Sequence, residues 1–182
     1  MTGEKKILTG LVITTIVILM LRKKIATALN NTPFSFISDK LFNLISNLEG
    51  KYQSVPSWDY MQYSVGYGSG YNWDAKRPVI KTDVIDLTTA KRWLLLEAQD
   101  KYDFVMSKIR VPVTDNQLLA LSSFTYNVGE NAFAGSTLLK LLNNGTNKDT
   151  VSKQFDLWIN AGGKPNPGLI NRRNAEKKLF NT

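Results

Sequence analysis

Glu49 stands before the last residue of the run Leu44-Ile45-Ser46-Asn47-Leu48-Glu49-Gly50; Asp59 follows Glu49 by ten residues and Ser64 comes five after that. A carboxyl that carries a proton, a second carboxylate and a hydroxyl that orients water are the groups that cleavage of a glycosidic bond needs. A Glu before a Gly at a helix end is also the pattern of an ordinary solvated surface residue. The rest of the chain must decide between the two.

The 182-residue chain contains no His and no Cys. That excludes Ser-His-Asp and Cys-His catalysis, a disulfide framework, a thiol switch and the usual zinc ligand sets. Acid–base work falls to Asp, Glu, Lys and Tyr, and neither a metal nor a cofactor is expected. Hydrophobic residues make up 43% of the sequence, enough for one globular domain with its own core. Half of the net charge of +8 sits in residues 1–30, which hold five Lys/Arg and one Glu. Such a balance suits nucleic acid, an anionic membrane or an anionic cell-wall polymer, and equally plain solubility. No nucleic-acid motif accompanies it, so no nucleic acid partner is expected.

The elements that must position Glu49, Asp59 and Ser64 begin after an apolar stretch. Residues 7–21 carry no charge and are flanked by Lys5 and Lys6 on one side and Arg22, Lys23 and Lys24 on the other. As a helix they reach roughly 22 Å, short of the ~30 Å hydrocarbon core, a gap that snorkelling cations and local thinning close. Membrane anchor, cleaved signal peptide and buried core helix compete. The stretch is apolar all round, which opposes a core helix. Ala26-Thr27-Ala28 offers a cleavage site, but the three cations after the run oppose translocation of that end. An uncleaved anchor, inserted in a lipid membrane through residues 7–21, is the favoured reading. Asn30-Asn31-Thr32-Pro33 reads as a linker, giving an anchor segment over 1–30 and a folded domain over 31–182.

In that domain, Leu41, Phe42, Leu44, Ile45 and Leu48 mark one buried face of a helix capped by Ser38 or Asp39, with Glu49 at its end and Gly50 as its stop. Residues 51–87, rich in Gly and aromatics, predict a small antiparallel hairpin region, with a further short strand at 79–82. The glycines at 66–70 lack the Gly-Lys-Ser/Thr ending of a phosphate loop and suit a tight turn. Thr88 or Thr89 caps a long helix through Ile109, with Ala90, Trp93, Leu94, Ala98, Tyr102 and Val105 inward. Thr114 and Gln117 form a capping box before a very apolar helix that ends at Gly129. Two helices over 136–143 and 149–159 and a last one from Leu169 to Phe180 complete a mainly helical α+β fold.

The motifs in the second half carry a family resemblance. Ala120-Leu121-Ser122-Ser123-Phe124-Thr125-Tyr126-Asn127-Val128-Gly129 is followed by Phe133-Ala134-Gly135-Ser136-Thr137-Leu138-Leu139. Then come Trp158, Ala161-Gly162-Gly163, Gly168-Leu169-Ile170-Asn171-Arg172-Arg173 and Ala175-Glu176. With Glu49-Gly50 and Ser64-Val65-Gly66-Tyr67-Gly68 in front, the chain resembles the phage-type lysozymes (glycoside hydrolase family 24) over about residues 40–181. The resemblance implies a lysozyme-like two-lobed fold, a hairpin-containing N-terminal lobe and a helical C-terminal lobe with a cleft between them.

It also implies an endolysin, a muramidase that hydrolyses the β-1,4 bond between N-acetylmuramic acid and N-acetylglucosamine of peptidoglycan with inversion. Glu49 matches the general acid and Ser64 the position of a Thr. The family's Asp falls nine residues after the Glu, where this chain has Trp58; Asp59 is one later, and Asp74 is a weaker substitute. A one-residue slip in a strand turns a side chain to the other face, and a bulge or altered turn at Pro56-Ser57 would restore it. Ser69 stands where the family usually has His or another polar residue. Tyr126, Asn127 and Thr137 are candidates for the sugar cleft, with helix packing the other reading of Tyr126 and Asn127. Arg172, Arg173 and Glu176 read as a structural ion-pair group and Trp158 as core. Two rival functions remain: a lytic transglycosylase in which the substrate's own 6-hydroxyl replaces water, and a non-catalytic cell-wall-binding or structural virion membrane protein. The anchor places the enzyme on a host inner membrane facing the periplasm or on a virion membrane, acting at lysis or on the way into the host. The cationic flank leans the C-terminal side of the anchor toward the cytoplasm, whereas an exported enzyme needs the opposite.

Overall fold

The helix that carries Glu49 forms, and it begins earlier than its capping residues predict. In the computed structural model, which describes residues 34–59 and 61–182 without the side chains of residues 34–38 and Asp59, helix α1 spans Phe34–Glu49. Phe34, Phe36 and Ile37 extend the apolar pattern toward the N-terminus, so Ser38 and Asp39 lie inside the helix instead of capping it. The expected anchor at 7–21, the linker at 30–33 and Tyr60 lie outside the described residues. No helix among the described residues is long and apolar enough to cross a membrane. Contacts separate residues 1–36 from 37–182, and the description below concerns the second unit.

After Gly50, whose φ of 86° ends α1, strand β1 (Gln53–Asp59) turns back antiparallel into β2 (Gln62–Gly66). A second, two-residue ladder joins β3 (Tyr71–Asn72) to β4 (Arg77–Pro78). The strand expected at 79–82 is absent. Asp83 accepts from the Ile80 N–H at 2.9 Å and holds Arg77 through both carboxylate oxygens, which folds that stretch into a turn.

Helix α2 (Leu87–Lys108) is capped by Asp86, which accepts from the Thr89 N–H at 2.7 Å, so Thr88 and Thr89 belong to its first turn. A carboxylate is the better acceptor for the positive end of a helix. Its buried residues are Ala90, Trp93, Leu94, Ala98 and Val105, with Tyr102 half-buried. Helix α3 (Asp115–Val128) has both arms of the Thr114–Gln117 capping box and stops at Gly129. Every residue from Leu118 to Thr125 is buried. Two of the three hydroxyls among them turn back on the helix, Ser122 to the Leu118 carbonyl and Thr125 to that of Leu121, each at 2.8 Å.

The remaining elements differ in extent from what the sequence suggests. A five-residue helix α4 (Glu130–Ala134) precedes α5 (Thr137–Asn143). The single helix expected at 149–159 is α6 (Lys148–Ser152) continued by a 3-10 segment (Lys153–Leu157). An unexpected hairpin, β5 (Asn160–Ala161) with β6 (Lys164–Pro165), turns through Gly162 and Gly163, both at positive φ. Helix α7 (Pro167–Asn181) starts two residues early, because Asn166 caps it and Pro167 fits its first turn.

Two apolar clusters seat the site. Leu41 and Ile45 of α1 pack with Leu94 and Ala98 of α2 and Leu119 of α3. Val65 of β2 packs with Val79 and Trp93. Under α7, Phe124 meets Phe155 at 5.3 Å and Trp158 at 5.4 Å between ring centres, so Trp158 acts in packing. Phe124→Ala is expected to lower the unfolding free energy by about 3–5 kcal/mol in urea denaturation, because this ring has no exposed surface and three neighbours would line the void.

Candidate active site

Glu49 is held from the far end of the chain. Its Oε1 accepts from Arg172 Nη1 of α7 at 2.5 Å, across 123 residues of sequence. Arg172 also reaches Glu176 Oε1 with its Nε at 3.3 Å. Arg173 lies 2.8 Å from Glu176 Oε2 through Nε, an ion pair too bent to count as a hydrogen bond, and donates to Oε1 through Nη2 at 3.1 Å. Ser123 completes the cage with a 2.7 Å hydrogen bond to Glu176 Oε1. Arg173 and Glu176 have no exposed surface and Arg172 has 4%. Burial pushes the Glu176 carboxyl up and the Arg173 guanidinium down, and their mutual attraction opposes both effects. The expected ion-pair group therefore exists, and one of its members extends to the candidate acid.

The opposite wall is the turn after β2. Gly68 adopts φ of 90°, and a Cβ there would stand 3.4 Å from Glu49 Oε2, so a bare backbone lines the carboxyl. Gly66 is tighter: a Cβ would meet Ala90 and Ile85 at 3.2 Å. The carbonyl of Tyr67 faces the Tyr126 hydroxyl at 3.4 Å, and the same hydroxyl lies 3.4 Å from Glu97 Oε2. Arg172 sits over the Tyr126 ring with its guanidinium carbon 5.9 Å from the ring centre. Tyr126 is pushed well above the usual phenol range, first by burial and then by the charges of Glu97 and Glu49, so it stays a proton donor.

Glu97 is a half-buried carboxyl in α2 that the sequence did not single out. Burial raises it to about 7, against hydrogen bonding from Ser69, the Lys101 charge and Tyr126, and with the Glu49 charge reinforcing the rise. Lys101, one turn along, is engaged by Asp100 at 2.8 Å and Glu130 at 2.6 Å. Nothing local marks Glu97, since its partners come from a different loop and a different helix.

The hairpin settles which residues share a face. Ser57 pairs with Ser64, Trp58 with Tyr63 and Asp59 with Gln62. Paired residues of an antiparallel ribbon lie on one face, so positions 57, 59, 62 and 64 form one row and Trp58 and Tyr63 the other. Trp58 and Tyr63 pack edge to face at 4.9 Å, and Trp58 is 62% exposed. Three residues of β1, 54–56, stand opposite the single Val65 of β2, a register irregularity that takes in Pro56 but lies before the expected Pro56-Ser57 position, since Ser57 already pairs with Ser64. The Asp59 backbone thus shares the face of Ser64, which is 9% exposed. Asp74 is engaged elsewhere, with Arg92 at 2.7 Å and Trp93 Nε1 at 3.1 Å.

Glu49 and Tyr126 are therefore brought together through Arg172. Asn127 is exposed, and its Oδ1 accepts from Arg173 at 3.0 Å. Thr137 is exposed in the first turn of α5, and among the described residues no hydrogen bond links it to Glu49. Among the described residues no group of three or more Asp, Glu, His or Cys is placed to hold a metal ion.

Comparison with known proteins gives a consistent picture. The profile of the family described as Phage lysozyme matches residues 46–176. The endolysin of an Acyrthosiphon pisum secondary endosymbiont phage is 35% identical over 148 residues, covering 79% of this chain and 97% of the relative. The endolysin of Bacillus phage PZA is 39% identical over 150 residues, 80% of this chain and 55% of the relative, so the chain spans about half of that protein. Among solved structures, an endolysin from Escherichia coli O157:H7 phage FAHEc1 superposes with a TM-score of 0.67 at 30% identity, covering 78% of this chain and 90% of that one.

Two consequences are measurable. Glu176→Gln leaves two buried guanidiniums short of a counter-charge and is expected to cost about 3–5 kcal/mol in chemical denaturation. Glu97 holds its proton in the folded state above the ordinary value of 4.5, so the stability it contributes is full below that value and is lost as pH rises through about 7. Relative to wild type, Glu97→Gln is expected to gain on the order of 2–3 kcal/mol between acid and mildly alkaline pH, read from urea titrations across the range.

Proposed function

The chain belongs to the phage lysozyme family, and from that premise we propose that it is a peptidoglycan muramidase that cleaves the β-1,4 bond between N-acetylmuramic acid and N-acetylglucosamine. The observation that carries the reading is Glu49 itself. It is a carboxyl with 22% of its side chain open to solvent, fixed on one side by Arg172 and faced on the other by the glycine turn. An acid in that place reaches a bulky polymer while its direction is set by buried partners.

In the proposed reaction Glu49 gives its proton to the glycosidic oxygen as the bond to the anomeric carbon breaks. Water adds to that carbon from the opposite face, with Ser64 orienting it and Asp59 taking its proton. The sugar configuration inverts, which asks for carboxyls about 6.5–9.5 Å apart, with room for the water between them. Exchange with solvent then returns the proton to Glu49 and removes it from Asp59. Arg172 stabilises the Glu49 carboxylate left after proton donation. The register that puts position 59 in the row of Ser64 supports this assignment. Tyr126 belongs to the support of Glu49 in this reading, and the exposed Asn127 and Thr137 are left for sugar contacts.

Trp58 at the family's Asp position favours one other outcome. In a lytic transglycosylase Glu49 serves as acid and then as base, and the muramic acid 6-hydroxyl attacks in place of water. We also place the chain on a membrane through residues 7–21, with residues 31–182 facing peptidoglycan. A host inner membrane and a virion membrane both satisfy that placement, and fractionation of infected cells and purified virions separates them.

Digestion of purified peptidoglycan followed by mass spectrometry tests the reaction. Wild type is expected to release fragments with reducing N-acetylmuramic acid ends. Glu49→Gln and Asp59→Asn are each expected to lose about 10²–10⁴ of the rate. Anhydro ends, with Asp59→Asn fully active, identify the transglycosylase. No fragments from a folded wild type turn the reading to a binding or structural protein.

A further inference from the structure

Tyr126 has one hydroxyl proton and two acceptors waiting for it. The Tyr67 carbonyl and Glu97 Oε2 stand at the same distance, 3.4 Å, on different elements. Which acceptor receives the proton depends on whether Glu97 carries a proton of its own. A protonated carboxyl donates to the Tyr126 oxygen and sends the Tyr126 proton to the Tyr67 carbonyl. An ionised carboxylate accepts only, so it draws the Tyr126 proton to itself and leaves the Tyr67 carbonyl without that donor. The Tyr67 carbonyl is joined by one peptide bond to Gly68, which lines Glu49.

We propose that Glu97 is a positioning residue for Glu49: its carboxyl proton directs the Tyr126 hydroxyl onto the Tyr67 carbonyl and so holds the glycine turn against the acid, and loss of that proton releases the turn. The proposal deepens the muramidase reading and rests on it for its effect on turnover. The groups that face Glu97 all come from packed elements: Ser69 from the loop after β2, Tyr126 from α3, Glu49 from α1, and Lys101 from its own helix. Lys101 is held by Asp100 and Glu130 and Ser69 carries no charge, so among the described residues that face Glu97 the one cation, Lys101, is already shared with two other carboxylates. Charge appearing on Glu97 also repels Glu49, but the Arg172 guanidinium bonded to Glu49 screens that repulsion.

The test uses the full chain, labelled with carbon-13 and nitrogen-15 in detergent micelles and titrated across roughly pH 5–9. The Gly68 amide is expected to shift with the same midpoint as the Glu97 carboxyl carbon, at about 7. In Tyr126→Phe the Glu97 signal still titrates and the Gly68 response is lost. A Gly68 amide that stays flat while Glu97 titrates, or that responds equally in Tyr126→Phe, overturns the proposal. In parallel, wild-type turnover is expected to fall roughly threefold to tenfold through that midpoint at unchanged KM. Glu97→Gln, whose amide donates at every pH, keeps the acid-side rate; an unchanged inflection in this variant also overturns the proposal. A purely structural role would alter the melting behaviour of Glu97→Gln and leave the pH profile in place. Should wild type release no glycan fragments at any pH, the muramidase reading fails and the NMR titration still judges the Glu97–Gly68 link. Should Glu97→Gln fail to fold, the wild-type and Tyr126→Phe titrations decide.

Discussion

A carboxylate with no exposed surface sets the terms for this domain. Glu176 lies between Arg172, Arg173 and Ser123, and each of those partners is itself buried. Such a group does not stabilise a fold merely by being paired, because taking three charges from water costs about as much as their attraction returns. What it does is fix direction. Arg173 is held over Phe124, its guanidinium carbon 4.7 Å from the ring centre, in the middle of the aromatic core. Arg172, its neighbour on the helix, must then project toward the end of α1. Glu49 is thereby aimed from the core, although it is chemically part of an open surface.

The rest of the site repeats this arrangement. Glu49, the Tyr67-Gly68 turn, Glu97, Tyr126 and Arg172 belong to five different segments. Each segment is seated by an apolar cluster, Leu41, Ile45, Leu94, Ala98 and Leu119 on one side and Val65, Val79 and Trp93 on the other. A carboxyl at a helix end has freedom of its own. Here that freedom is removed by a guanidinium on one side and by the absence of a side chain at Gly68 on the other. An acid that must meet one oxygen of a long polymer gains rate from such restraint, because little ordering remains to be done when substrate arrives.

Much of this was legible before any coordinates. Glu49, Gly50 and the apolar stripe of α1 announce themselves locally, as do the Thr114–Gln117 box and the stop at Gly129. The register of Asp59 was legible only in part. The sequence shows the slip from position 58 to 59, and Pro56, which has no N–H to give to a ladder, marks where pairing must become irregular. How many residues the irregularity absorbs is decided by the paired strand. The strand expected at 79–82 failed because Asp83 offers the Ile80 N–H a stronger acceptor than a neighbouring strand would. The i, i+3 and i, i+4 spacing of Arg172, Arg173 and Glu176 revealed an ion-pair group, but no local pattern connects residue 172 to residue 49. Glu97 was invisible for the same reason: on α2 it reads as one more polar position between apolar turns.

The absence of histidine gives Glu97 its weight. In a chain without imidazole, a group that changes charge near neutrality has to be made by environment, and burial of a carboxyl is the available route. Burial succeeds only if no cation is free to hold the ionised form. Here the nearby cations are committed: Arg172 to Glu49 and Glu176, Arg173 to Glu176 and Asn127, Lys101 to Asp100 and Glu130. Ser69, beside Glu97, offers a hydrogen bond and no charge. A positive group at position 69 would hold Glu97 ionised and draw the Tyr126 proton away from the turn at every neutral pH. The uncharged neighbour and the neutral carboxyl are thus one feature, and the ion pairs that aim Glu49 from the core, with those that engage Lys101, leave burial stronger than the attraction of any described cation for Glu97.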